Sequence, residues 1–193
     1  SVRIRLPEPM ADDPIVIEDD GTGMTEQELS TEYLNIASNR RTRRGELTSG
    51  KKRRVKGRKG IGKFAGLIAA SSMRLETWAR GARSQFAFDI ATLEKFANLP
   101  EMPLNVFVEN DLTKNNGTRV TLSVLHRHIQ FPNADKLRQI LIQEYGRESG
   151  FSIFVNEKRL DIDDIQGSFT EVNTQIDTVG DIKLRFTVSD HKA

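Results

Sequence analysis

Apolar and polar positions alternate from Val2 to Leu6, and turn signals at Pro7, Pro9 and Asp12-Asp13-Pro14 lead into the apolar run Ile15-Val16-Ile17. The chain therefore opens on a hairpin. Thr25 and Glu28 have the spacing of a capping box, which starts a helix over 26–37 with Leu29, Tyr33, Leu34, Ile36 and Ala37 on an imperfect apolar face. A small apolar helix is expected over 63–71, suited to close packing on a sheet. Alternation over 74–79 and 85–90 around Arg80-Gly81-Ala82-Arg83 predicts a second hairpin. A short helix over 91–97, a strand over 106–108, and a turn at Asn116-Gly117 feeding a further strand follow. Residues 135–145 are amphipathic, with Leu137, Ile140, Leu141 and Tyr145 on one face, and a strand over 151–155 turns at Asn156-Glu157. Residues 1–160 read as one domain. Residues 161–193 read as a C-terminal extension, an extra hairpin or the entry to a following domain.

Charge changes this picture more than bulk composition does. Of the 193 residues, 37% are hydrophobic and 29% charged, ordinary values for a globular chain, and the net charge is only +2. Yet the stretch between Asn39 and Lys63 holds twelve Lys or Arg against one acid, Glu46. Such a block reads as a solvated loop that also suits a polyanion, and Arg40 to Lys63 is a candidate contact for nucleic acid. No aromatic residue is interleaved there for base stacking. The absence of cysteine excludes disulfides and thiolate metal sites and fits a cytoplasmic location. No apolar run is long enough to span a membrane, so no membrane partner is expected.

Two glycine-bearing stretches carry candidate chemistry. The basic block ends in Gly57-Arg58-Lys59-Gly60-Ile61-Gly62-Lys63-Phe64-Ala65. It reads either as a phosphate cradle at a helix start or as a tight turn with a helix cap. It misses the Walker pattern, because Phe64 stands where a hydroxyl would hold magnesium and a basic run replaces the buried strand. The dinucleotide fingerprint fails on the same missing strand. Earlier, Asp19-Asp20-Gly21-Thr22-Gly23-Met24 sits at a strand-to-helix corner, where a carboxylate can accept from an exocyclic amine and glycines let a flat ring approach. Asp19 is the candidate acceptor; the alternative is a plain chain reversal at Asp20-Gly21.

Taken in order, these two stretches and Gly117-Thr118-Arg119-Val120-Thr121-Leu122 resemble the motifs of the GHKL ATPase superfamily. That superfamily includes gyrase B, the ninety-kilodalton heat-shock chaperone, histidine kinases and MutL. Met24 and the long basic segment look most like its chaperone and MORC branch. The resemblance implies an α+β Bergerat fold, a two-layer sandwich with a mixed, mostly antiparallel sheet, helices on one face and a long basic ATP lid. It implies ATP or ADP as ligand. Asp19 would bind the adenine amine, Gly21, Gly23 and Met24 would line the base pocket, and Thr118 would support an adenine-binding water. Lys59, Gly60, Ile61, Gly62, Lys63 and Phe64 would hold the phosphates.

The family's first motif, a helix bearing a Glu that activates water and an Asn that coordinates magnesium, precedes the opening strand and is not in this sequence. No residue here is assigned as catalytic or metal-binding. The expectation is a trimmed piece of a longer ATPase that binds nucleotide without hydrolysing it, the full-length protein acting as a homodimer. A nucleic-acid-associated module gripping a phosphate backbone with the basic segment is the alternative; a histidine-kinase domain ranks last.

Overall fold

Eight strands form one sheet in the computed structural model, which describes residues 1–8, 14–33, 62, 65–93, 105–146, 150, 152–161, 164, 165 and 167–189. They are β1 (Val2–Arg5), β2 (Ile15–Asp19), β3 (Ala70–Ala79), β4 (Ala82–Asp89), β5 (Phe107–Asn110), β6 (Gly117–Leu125), β7 (Ile153–Val155) and β8 (Lys158–Arg159). Their order is β5-β4-β3-β6-β2-β1-β7-β8, antiparallel throughout except for the parallel pair β1 and β7. This is the mixed, mostly antiparallel α+β sheet that the motifs imply.

Local chemistry accounts for the tight connections. Arg80 and Gly81 both take positive φ between β3 and β4, as Asn156 and Glu157 do between β7 and β8, and two such residues make the turn whose twist matches the flanking strands. The capping box is present: Thr25 Oγ1 accepts from Glu28 N–H, and the Glu28 carboxylate accepts from Thr25 N–H at 3.0 Å. It starts α1 (Glu26–Glu28), which continues as a π-helical turn over Leu29–Tyr33. The rest of the expected helix, 34–37, lies outside the described residues.

Alternation sorts the sheet into two faces. Ile15, Met73, Leu75, Phe86, Phe88 and Leu122 meet Leu29 on one of them and form the core, with Ile17, Met24, Tyr33 and Leu67 packed around it. Burying Leu29 completely stabilises the fold by about 2 kcal/mol. On the other face, charges alternate from strand to strand: Arg3 is paired in register with Glu18, Glu18 with Arg119, and Arg119 with Glu76. Arg83 continues the row, bonded to Glu76 and lying 2.6 Å from Glu109.

Four expectations need correction. The small apolar helix α2 covers only Gly66–Ala69; Ala70 and Ser71 belong to β3, where pairing of Ala70 with Leu125 and of Ser72 with Ser123 of β6 overrides the helix propensity of the alanines. Ile68 of this apolar helix faces solvent. The predicted strand 106–108 shifts to Phe107–Asn110. Helix α3 (Ile90–Leu93) starts one residue early, and α4 (Ala134–Tyr145) is rotated from its expected face. In α4 the buried residues are Arg138 and Ile142, and Ile140 is exposed. The rotation follows from Arg138, whose Nε donates to Asp164 at 2.8 Å and whose Nη2 reaches Asp135.

Residues 167–189 do form a hairpin, β9 (Gly167–Ile176) with β10 (Gly180–Ser189), as a separate two-stranded sheet.

Candidate functional site

The site is built where β2, β6 and β3 run side by side. Asp19 is the last residue of β2 and pairs in register with Thr118 of β6, which pairs in turn with Thr77 of β3. Three polar side chains thus stand in a row on the core face, beyond the apolar positions Ile17, Val120 and Leu75 of the same strands.

Close backbone approach fixes the loop after Asp19. Gly23 has φ +64°, and a Cβ on it would come within 1.9 Å of the Trp78 carbonyl oxygen. A Cβ on Gly117 would come within 2.3 Å of the Asp19 carbonyl oxygen. These glycines lock the loop 20–24 onto β3 and β6. Met24 N–H then donates to Thr77 Oγ1 at 2.9 Å, while the Met24 side chain packs against the core.

Asp19 Oδ1 accepts from Gly21 N–H at 2.7 Å, and Oδ2 has no hydrogen-bond partner among the described residues. Burial pushes the Asp19 carboxyl above the ordinary aspartate value; the Gly21 N–H opposes that shift and the carboxylates of Asp20 and Glu18 add to it. A half-buried carboxylate with an open acceptor oxygen is suited to a ligand N–H.

A cleft of about 380 Å³ opens at this end of the sheet, within the range of small-ligand sites. Asp19 and Thr118, on core-face positions, line it together with Gly117, Glu18, Trp78 and Lys114. Lys114 Nζ lies 3.9 Å from the Trp78 ring centroid and donates to Glu18 at 2.7 Å, and Arg119 donates to Glu18 at 3.1 Å. Burial alone would raise the Glu18 carboxyl, but the two cations outweigh it and hold it below the ordinary glutamate value.

The structure thus brings Asp19 and Thr118 together and bonds Gly21 to Asp19. It sets Gly23 against β3, and Gly23 and Met24 lie outside the lining of the cleft. Gly62 is described, its carbonyl accepting from Ala65 N–H at 3.0 Å just ahead of α2. Lys59, Gly60, Ile61, Lys63 and Phe64 lie outside the described residues, as does the rest of the basic segment 40–61. Among the described residues no cluster of acidic or histidine side chains is arranged to hold a metal ion.

Sequence reasoning missed Thr77. The available signal was its place in the alternation Met73, Leu75, Thr77, Ala79, which puts one hydroxyl among core positions, where it must find partners.

No helix among the described residues is long and apolar enough to cross a membrane. No curated protein matches the chain. A family model described as "Histidine kinase-, DNA gyrase B-, and HSP90-like ATPase" matches residues 1–121, a span that holds Asp19, the glycine-rich segment, Thr77 and Thr118. With more than half its length matched, and with the sheet and the ordered motifs in agreement, the chain belongs to this GHKL family of ATPase domains, whose members generally bind ATP or ADP with magnesium.

Proposed function

We propose that this chain is the adenine-nucleotide-binding domain of a chaperone-like ATPase, cytoplasmic and homodimeric in its full-length form. In it, nucleotide draws the basic segment 40–63 over the phosphates. The observation that carries the reading is the row Asp19, Thr118, Thr77 at the end of three adjacent strands, with an open carboxylate oxygen at its outer position. In this reading Asp19 accepts from the adenine amine, Thr118 supports it through water, and Gly21, Gly23 and Met24 shape the base-binding loop. Lys59, Gly60, Ile61, Gly62, Lys63 and Phe64 provide backbone N–H groups and charge for the phosphates, with which magnesium would travel. Closing twelve cations over a polyphosphate neutralises charge and excludes water, and it supplies the differential contact that a nucleotide-driven change requires. No residue is assigned a role in hydrolysis.

Calorimetric titration with ADP and a non-hydrolysable ATP analogue in the presence of magnesium tests the reading. Binding to the wild-type chain that falls at least about tenfold in Asp19→Asn is the expected result, since the amide puts a donor or a weaker acceptor where a charged acceptor stood. Equal binding by both proteins overturns the assignment of Asp19. The charge of segment 40–63 also favours a second reading, contact with a nucleic-acid backbone. That reading requires an affinity for DNA or RNA that falls steeply with salt and is lost when Arg53 and Arg54 are neutralised.

A further inference from the structure

Thr77 is fully buried, and its Oγ1 stands where the loop after β2 meets the start of β6. It lies 2.9 Å from Met24 N, 3.1 Å from the Gly117 carbonyl oxygen and 3.3 Å from Thr118 Oγ1. An amide N–H can only donate, a carbonyl can only accept, and a threonine hydroxyl has one hydrogen and two lone pairs. All three contacts are hydrogen bonds together in a single arrangement. Thr77 accepts from Met24 N–H, donates to the Gly117 carbonyl, and accepts from the Thr118 hydroxyl. Thr118 has then used its only hydrogen, and lone pairs are all it retains for the cleft. Its register partner Asp19 is an acceptor as well.

We propose that Thr77 is a positioning residue that sets nucleobase specificity: by drawing the Thr118 hydrogen toward itself, it leaves only acceptors around the position where a purine 6-substituent meets Asp19 and Thr118, directly or through one water. A 6-amino group, with two hydrogens, satisfies both. A 6-oxo group meets acceptors on both sides and stays unpaired, which is the costly outcome in a desolvated site. The inference rests on the adenine-nucleotide reading above and adds a residue that never touches the ligand. Removing the Thr77 hydroxyl frees Thr118 to rotate and donate, which eases the 6-oxo purine more than it eases the 6-amino purine.

The test is the ratio of dissociation constants for inosine diphosphate and ADP, measured by calorimetry on wild type, Thr77→Val and Thr77→Ser. A merely structural role moves both constants together and leaves the ratio unchanged. The expected result is a ratio that falls about tenfold in Thr77→Val, the worth of one hydrogen bond, and stays at the wild-type value in Thr77→Ser, which keeps the hydroxyl. An unchanged ratio in Thr77→Val, or a ratio lost equally in Thr77→Ser, overturns the proposal while leaving adenine binding intact. Wild-type protein that binds neither nucleotide overturns the underlying reading and this proposal with it. Should Thr77→Val not fold, as judged by thermal melting, Thr77→Cys takes its place. Its thiol is a weak hydrogen-bond partner, and the same fall in ratio is expected.

Discussion

Replacing Gly23 by Ala tests the close approach that holds the loop after Asp19 in place. Two costs add. At φ +64° an L-residue is less stable than glycine by about 1–2 kcal/mol. The new Cβ would also lie 1.9 Å from the Trp78 carbonyl oxygen, a backbone atom that cannot swing aside, and ordinary contact begins near 3.4 Å. Relief takes a shift of about 1.5 Å, which carries Met24 N–H out of hydrogen-bond range of Thr77 and leaves that half-buried amide unpaired, at about 1–3 kcal/mol. The expected destabilisation is about 2–5 kcal/mol, a large share of the 5–15 kcal/mol typical of a domain. Two glycines separate the contributions. Gly180 has φ +96° and no neighbour within 4 Å of an added Cβ among the described residues, so Gly180→Ala bears the conformational cost alone, about 1–2 kcal/mol. Gly62 has neither a positive φ nor, among the described residues, a neighbour within 4 Å, so Gly62→Ala stays within about 0.5 kcal/mol of wild type. Urea unfolding followed by the fluorescence of the single tryptophan, Trp78, which is 4% exposed, reads all three. A Gly23→Ala midpoint equal to that of Gly180→Ala would refute the argument from close approach.

Two further predictions concern charge. Glu18 is held below its ordinary value of 4.5 in the folded chain, so it contributes stability that is present above that value and lost as pH falls through the folded one. Glu18→Gln should lower stability at pH 7 by about 1 kcal/mol and flatten the acid side of the stability profile; a variant with an unchanged acid limb would show that Lys114 and Arg119 do not act as argued. Arg138 and Asp164 form a pair with side chains only 7% and 8% exposed. Asp164→Ala, which removes one of the two carboxylates on the buried guanidinium, should cost about 3 kcal/mol in urea unfolding, and the double change Arg138→Leu with Asp164→Leu should recover most of it. A double variant less stable than the single one would refute the desolvation argument.

Much of the architecture was legible in the sequence because the forces that set it are local. The capping box at Thr25 and Glu28 needs only a spacing of three, and the turns at Arg80-Gly81 and Asn156-Glu157 need only two residues that tolerate positive φ between alternating segments. The ordered motifs around Asp19, Gly62 and Thr118 identified the family for the same reason, since each is a short run whose backbone demands show in its glycines. Local reading failed where a distant partner decided the outcome. Ala70 and Ser71 look helical, yet β6 pairs with Ala70 and Ser72 on either side of Ser71, and α4 turns on its axis because Arg138 finds Asp164.

The candidate site divides along the same line. Sequence by itself determined which side chains were available: a carboxylate at a strand end, glycines that admit close contacts, and a threonine after a turn. Tertiary structure alone decided that Asp19, Thr118 and Thr77 form one row, because strand order in a sheet is set by which apolar faces bury together and not by any neighbour in the chain. It also decided what Thr77 does. A hydroxyl carries no instruction about its direction, and Thr77 acquires one only where a backbone N–H of the loop after β2 and a carbonyl and a second hydroxyl of β6 converge on it.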